Sequence, residues 1–149
     1  VVNDEVVASV IYDFIRDHLF VAVKGRGATR DGDPITVNTE RRRGNLVIYS
    51  FTRRKFPLIR EALSEIGMRA ILPMGAAGHM YCLLAQGKID GIVALNTGLA
   101  AYDNAPGILL CEEAGAVMLQ YDDKTGVDRH EFIIGSPYVI NAIERSGLI

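Results

Sequence analysis

The sequence predicts a layered α/β unit preceded by antiparallel strands. Over residues 5–37 the pattern is sheet-like, with β-branched and other apolar side chains alternating at period two. From residue 46 onward, short apolar runs alternate with segments whose apolar residues recur at helical spacing. A length of 149 residues, 49% of them hydrophobic and 23% charged, suits one domain with a core of its own.

Each element follows from local chemistry. Val6, Ala8, Val10 and Tyr12 alternate with Val7, Ser9 and Ile11, which makes a half-buried strand. Residues 13–17 form a turn, and 18–24 return as the second strand of a hairpin. Gly25, Gly27 and Gly32 then punctuate a loop, Asp33-Pro34 reads as a turn, and a short strand follows near residues 35–37. Arg41, Arg42, Arg43 and Gly44 mark an exposed connection. Residues 46–49 form a short apolar strand. Pro57 suits a first helical turn, after which Leu58, Ile59, Ala62, Leu63 and Ile66 fall at helical spacing until Gly67. A strand over 69–72, a small-residue helix over 75–85 ended by Gly87, and a strand over 89–95 follow. Asp103 is placed as the N-cap of a helix through Ala114, with Pro106 in its first turn and Gly115 at its end. Residues 117–121 and 131–134 pair around a turn at 122–126. A last helix opens at Ser136-Pro137 and turns Val139, Ile140 and Ile143 inward.

Composition narrows the function. It excludes collagen-like and disordered chains, and a net charge of −2 gives no global pull toward nucleic acid or an anionic membrane. The cluster Arg41-Arg42-Arg43 with Arg53-Arg54-Lys55 has few interleaved aromatics beyond Tyr49 and Phe51, so it reads as a solvated rim. No apolar stretch reaches the ~20 residues of a bilayer span. Cys82 and Cys111 lie in apolar runs without metal or redox spacing; they read as buried small hydrophobes and fit a cytoplasmic setting. His18, His79 and His130 are scattered, and no serine sits in a nucleophile elbow. The N-terminus, with no initiator methionine, basic region or cleavage signature, reads as the interior of a longer chain.

The most informative segment is residues 98–115. Asp103 there admits two readings: a cap for orphan helix N–H groups, or a hard oxygen ligand for Mg²⁺. Glu112 and Glu113 stand about two and a half turns further along, too far to share one small ion with Asp103, and read as solvated surface.

Tyr102-Asp103, followed by small residues, Gly107, an apolar run and Glu113-Ala114-Gly115, resembles the second signature of the inositol monophosphatase family. These are metal-dependent, lithium-sensitive phosphatases, grouped with fructose bisphosphatases and bisphosphate nucleotidases. Tyr102 stands where the family usually has tryptophan. Val10-Ile11-Tyr12-Asp13, Leu19-Phe20, Lys24-Gly25-Arg26-Gly27-Ala28 and Asp31-Gly32 resemble its strand pair and glycine turn. Gly25-Arg26-Gly27 lacks a dinucleotide fingerprint and reads as a tight turn. Met74-Gly75-Ala76-Ala77 resembles its small-residue helix start, with Ala76 where a hydroxyl residue is common; Gly87-Lys88-Ile89-Asp90-Gly91 resembles the next turn and strand.

The resemblance implies antiparallel strands followed by a sugar-phosphatase-like α/β/α sandwich with the N-terminal half missing. Residues 1–40 would complete the family's first sheet, and 41–149 would form the carboxy-terminal α/β domain. It implies Mg²⁺ as cofactor with Asp103 as a ligand, and a small phosphorylated polyol or sugar beside Gly75, Ala76, Ala77, Asn96 and Tyr102. A homodimer is expected, with neither nucleic acid nor membrane as partner. The family's first metal motif, Asp-Pro-Ile/Leu-Asp-Gly-Thr, is absent; Gly32-Asp33-Pro34-Ile35-Thr36 echoes it but follows the glycine turn instead of preceding the hairpin. A two-metal site needs clustered carboxylates around ions ~4 Å apart, so these residues alone should bind Mg²⁺ weakly and turn over poorly. A bisphosphate nucleotidase or fructose bisphosphatase, and a non-catalytic α/β binding or oligomerisation module, are the alternatives.

Overall fold

A computed structural model of the chain describes residues 1–40, 44–50, 55–73, 75–95, 101–121 and 131–147. Four antiparallel strands come first: β1 (Ala8–Asp13), β2 (His18–Val23), β3 (Ala28–Arg30) and β4 (Asp33–Ile35), paired in chain order. There follow β5 (Asn45–Ser50), α1 (Lys55–Glu65), β6 (Arg69–Ile71), α2 (Ala77–Ala85), β7 (Gly91–Ala94), α3 (Ala101–Glu113), β8 (Val117–Gln120), β9 (Phe132–Gly135) and α4 (Pro137–Ser146). These strands make a five-stranded sheet in the order β6-β5-β7-β9-β8, with β5 parallel to β6 and β7, and β9 antiparallel to β7 and β8.

Period-two alternation stacks the layers. On β5, β7 and β9, Val47, Ile92, Ala94, Phe132 and Ile134 face one core; Leu46, Ile48, Val93 and Ile133 face the other. The second core is closed by Ile59 and Leu63 of α1 and by Val139, Ile140 and Ile143 of α4. The first is filled by α2 and α3, on whose far side lie Phe20, Ala22 and Ala28 of the four-stranded sheet. The expected sandwich is therefore present, with the antiparallel sheet covering its α2/α3 layer. Among the described residues the outer face of that sheet is bare. Its cross-strand pairs Ala8–Val23, Val10–Val21 and Tyr12–Leu19 are apolar, and Val10 and Tyr12 are exposed.

Several local readings change. Residues 28–30 pair as β3 instead of looping, and the expected strand at 35–37 lies at 33–35. Asp33-Pro34 is thus strand, and the turn sits at Asp31 and Gly32, whose φ values are 54° and 89°. A proline is tolerated there because β4 is an edge strand. Gly44 is buried, not exposed: a Cβ there would meet Met68 Sδ at 2.7 Å and Val139 Cγ2 at 2.8 Å. α3 starts two residues before Asp103, which lies inside the first turn and is not the N-cap; Pro106 falls in the second turn. Proline has no N–H for the carbonyl one turn back, and the Ser9 hydroxyl fastens this turn to β1 by donating to the Pro106 carbonyl at 2.7 Å. The turn expected at 122–126 and the arginine clusters at 41–43 and 53–54 lie outside the described residues.

Candidate functional site

The N-terminal turn of α2 forms one side of the site. Gly75 has φ +99°, a left-handed conformation suited to glycine. Ala76 is the N-cap, extended at φ −72° and ψ 152°, and its methyl group can make no capping hydrogen bond. The first N–H groups of α2 therefore lack the side-chain acceptor that serine or threonine would supply.

The turn joining β1 to β2 forms the other side. Asp13 Oδ1 accepts from the backbone N–H groups of Ile15 at 3.1 Å and Arg16 at 3.2 Å, while Oδ2 accepts from Arg16 Nη1 at 3.0 Å. Partial desolvation pulls the Asp13 pKa up, but these donors and the guanidinium charge outweigh it and hold the carboxyl below its ordinary range. His79 Nδ1 on α2 stands 3.9 Å from Asp13 Oδ2. A cavity of about 430 Å³ opens between the two sides, with Cys82 among its lining residues. Burial, and secondarily the Asp13 charge, pushes the Cys82 thiol up to about 12, so it is a neutral wall group.

The structure brings only some of the expected site residues together. Gly75 and Ala76 line the cavity, whereas Ala77 turns into the core. Tyr102 and Asp103 are exposed on the first turn of α3 and do not line it. Asn96 lies outside the described residues. The Asp103 carboxylate makes no hydrogen bond or ion pair with the described residues, so one hard oxygen ligand is available. No group of three or more His, Cys, Asp or Glu that could hold a metal ion occurs among the described residues. One ligand is not a site, and the described residues do not by themselves fit Mg²⁺. His79, Asp13 and Arg16 were not expected at the site; the helical offset of His79 from Gly75 and the acidic hairpin turn were the available signals.

Glu113 also departs from its expected role as solvated surface. Its carboxylate accepts from Gly25 N at 2.7 Å and Gly27 N at 2.8 Å. The glycine turn is confirmed by positive φ at both glycines, and its anion is a side chain of the same chain.

The sequence profile described as the inositol monophosphatase family matches residues 1–146. The chain belongs to the inositol monophosphatase family. It is 29% identical over 144 residues to the "Nus factor SuhB" of Haemophilus influenzae, covering 91% of this chain and 52% of that protein. It is 30% identical over 134 residues to "Inositol monophosphatase 1" of Rattus norvegicus, covering 85% and 47%. In structure it is similar to the extragenic suppressor protein suhB of Bartonella henselae, with a TM-score of 0.78 and 26% identity over 95% of this chain and 58% of that one. It thus spans about half the length of the inositol monophosphatase relatives it matches. No helix among the described residues is long and apolar enough to cross a membrane.

Proposed function

We propose that residues 1–149 form part of a Mg²⁺-dependent phosphomonoesterase acting on inositol monophosphate or a similar small phosphorylated sugar or cyclitol. The observation that carries this is Asp103: in a chain of this family, its carboxylate is exposed on the first turn of α3 and engages none of the described residues, where the family resemblance implies a metal ligand. The remaining carboxylates come from outside these residues, and the backbone at Gly75 and Ala76 borders the substrate. Tyr102 lies next to the metal ligand in the chain, and Asn96 is the remaining candidate for a substrate contact. A bisphosphate nucleotidase or fructose bisphosphatase reaction uses the same groups. We place the protein in the cytoplasm, in keeping with two free, buried cysteines.

The second reading is a non-catalytic binding or oligomerisation module. The bare apolar face of β1 and β2 and the position of β1 at the sheet edge favour it, and both suit a homodimer.

Manganese titration, followed by paramagnetic relaxation, tests the assignment alongside Mg²⁺-dependent phosphate release from inositol 1-phosphate. The 149-residue chain should bind the ion weakly, and Asp103→Asn should weaken it further at unchanged stability. An unchanged titration removes Asp103 as a ligand. Robust turnover by the 149 residues overturns the view that the other ligands lie elsewhere.

A further inference from the structure

Helix α1 closes the second core with Ile59 and Leu63, while Pro57, Arg60, Glu61 and Ser64 stand exposed on its other side. These four fall at i, i+3, i+4 and i+7, so they make one stripe along the helix. They line a depression of about 390 Å³ in the protein surface. Leu58, three residues before Glu61, is 66% exposed and adds an apolar flank. The four-stranded sheet lies beyond α2 and α3 on the far side of the molecule. This face is therefore separate from the bare face of β1 and β2 and from the cavity at Gly75.

The charges of the stripe are poorly matched within one chain. Arg60 has Phe56, Pro57, Leu63 and Ser64 at the positions three and four residues away, none of them acidic. Glu61 has Glu65 one turn on, a like-charge pair that destabilises an isolated helix. Glu65 also ends α1 where the helix dipole is negative, and the last turn holds no basic residue. Neither Arg60 nor Glu61 makes an ion pair with another described residue.

A second α1 lying antiparallel answers all three mismatches. The stripe is symmetric about the midpoint between residues 60 and 61. A two-fold axis there sets Arg60 of each copy opposite the partner's Glu61, and Pro57 opposite the partner's Ser64. Proline and serine are short enough to let the helix axes approach to about 8–10 Å. The positive N-terminal end of each helix then lies beside the negative C-terminal end of the other. A foreign partner has no need of a stripe that matches itself about its own midpoint; a second copy does.

We propose that the exposed stripe of α1 is a homodimer interface, with Arg60 and Glu61 as its reciprocal charge pair. The inference goes beyond both readings of the function, because it concerns a face that neither uses. One face of an 11-residue helix is a small contact, so the dimer is weak and salt-sensitive.

Sedimentation equilibrium of the 149-residue chain at up to about 1 mM tests it. Self-association should rise with concentration and weaken as salt is added. Arg60→Glu and Glu61→Arg, both at exposed positions, should each weaken it at least about tenfold, since either one turns both cross-pairs into like-charge contacts. Mixed together, the two variants should associate with each other, because every cross-pair is again of opposite sign. The double variant Arg60→Glu/Glu61→Arg should recover self-association for the same reason, and Val10→Ser on the bare sheet face should leave it unchanged. A chain that stays monomeric at that concentration, single reversals without effect, or folded reversals that fail to associate with each other overturns the interface. If Val10→Ser abolishes association while both reversals leave it intact, the homodimer uses the face of β1 and β2 and the α1 interface falls.

Discussion

Tyr81 on α2 donates its phenolic hydrogen to Asn104 Oδ1 on α3 at 2.9 Å, and both residues are buried. The ring reaches that position only because Gly107, one turn along α3, has no side chain: a Cβ there would lie 2.1 Å from Tyr81 Cδ2. The hydrogen bond and the missing methyl group together set how closely the two helices of the central layer approach. They also fix the helical turn that follows Tyr102 and Asp103.

Gly107→Ala should therefore be among the most damaging single substitutions in the chain. Forcing a methyl group against a fully buried ring costs about 1–3 kcal/mol in ordinary overpacking, and the 2.1 Å approach puts this case at or beyond the upper end. Tyr81→Phe keeps the ring but leaves Asn104 Oδ1 without its donor, at about 1–3 kcal/mol. The Nδ2 of Asn104 is already buried without a partner among the described residues, so this side chain would then lose its one described hydrogen bond. Urea midpoints at constant m-value read both losses.

Glu113→Gln should loosen the β2–β3 turn without unfolding the protein. The carboxylate serves two amides at once; a neutral side chain keeps acceptor strength at only one oxygen, with a loss of about 1 kcal/mol. The sharper readout is hydrogen exchange. The Gly25 and Gly27 amides should lose protection, while the amides of β9 in the central sheet should hardly change.

Acid stability should depend on Asp31. The Leu19 N–H donates to Oδ1 at 2.8 Å and His18 Nδ1 lies 2.7 Å from Oδ2; the backbone bond, then the His18 and Arg30 contacts, hold the carboxyl below its ordinary range. A depressed folded pKa means the unfolded chain binds more protons near pH 4. The stabilisation is present above the unfolded pKa and is lost as pH falls through the lower folded value. Asp31→Asn should flatten the acid limb of a stability-against-pH profile and leave its neutral-to-basic slope unchanged.

Both thiols should resist alkylation in the folded protein. Cys82 is 2% exposed with its pKa at about 12, and fully buried Cys111 is pushed up by the same desolvation, its thiol meeting the Tyr81 carbonyl at 3.4 Å. Reaction with a maleimide at neutral pH should follow global unfolding, and urea should expose both groups in one transition. Rapid labelling of Cys82 alone would show that the cavity beside it opens to the reagent.

Most of the fold was legible because its elements announce themselves locally. Val139, Ile140 and Ile143 share one helical face behind Ser136-Pro137, and that helix is buried on those residues. The hairpin of β1 and β2 was readable from alternation and an acidic turn. The short strands were less so: three residues of β3 carry too little periodicity, and β3 exists because β2 and β4 flank it. The start of α3 is hidden in the sequence because a good capping residue, Asp103, sits two positions inside the helix.

The amino-acid sequence by itself determined the order and faces of the elements, the family signature around Tyr102 and Asp103, and the glycine positions of the turns. These depend on periods of two and 3.6 and on φ preferences, which a few neighbouring residues express. Only the tertiary structure decided that Glu113 clasps a turn 86 residues away, that Tyr81 needs Gly107, and that Gly75 and Ala76 face a cavity with His79 and Asp13 while Asp103 does not. Periodicity says which side of an element is buried. What covers that side is settled by packing between segments distant in the chain, where directional hydrogen bonds and steric fit act together.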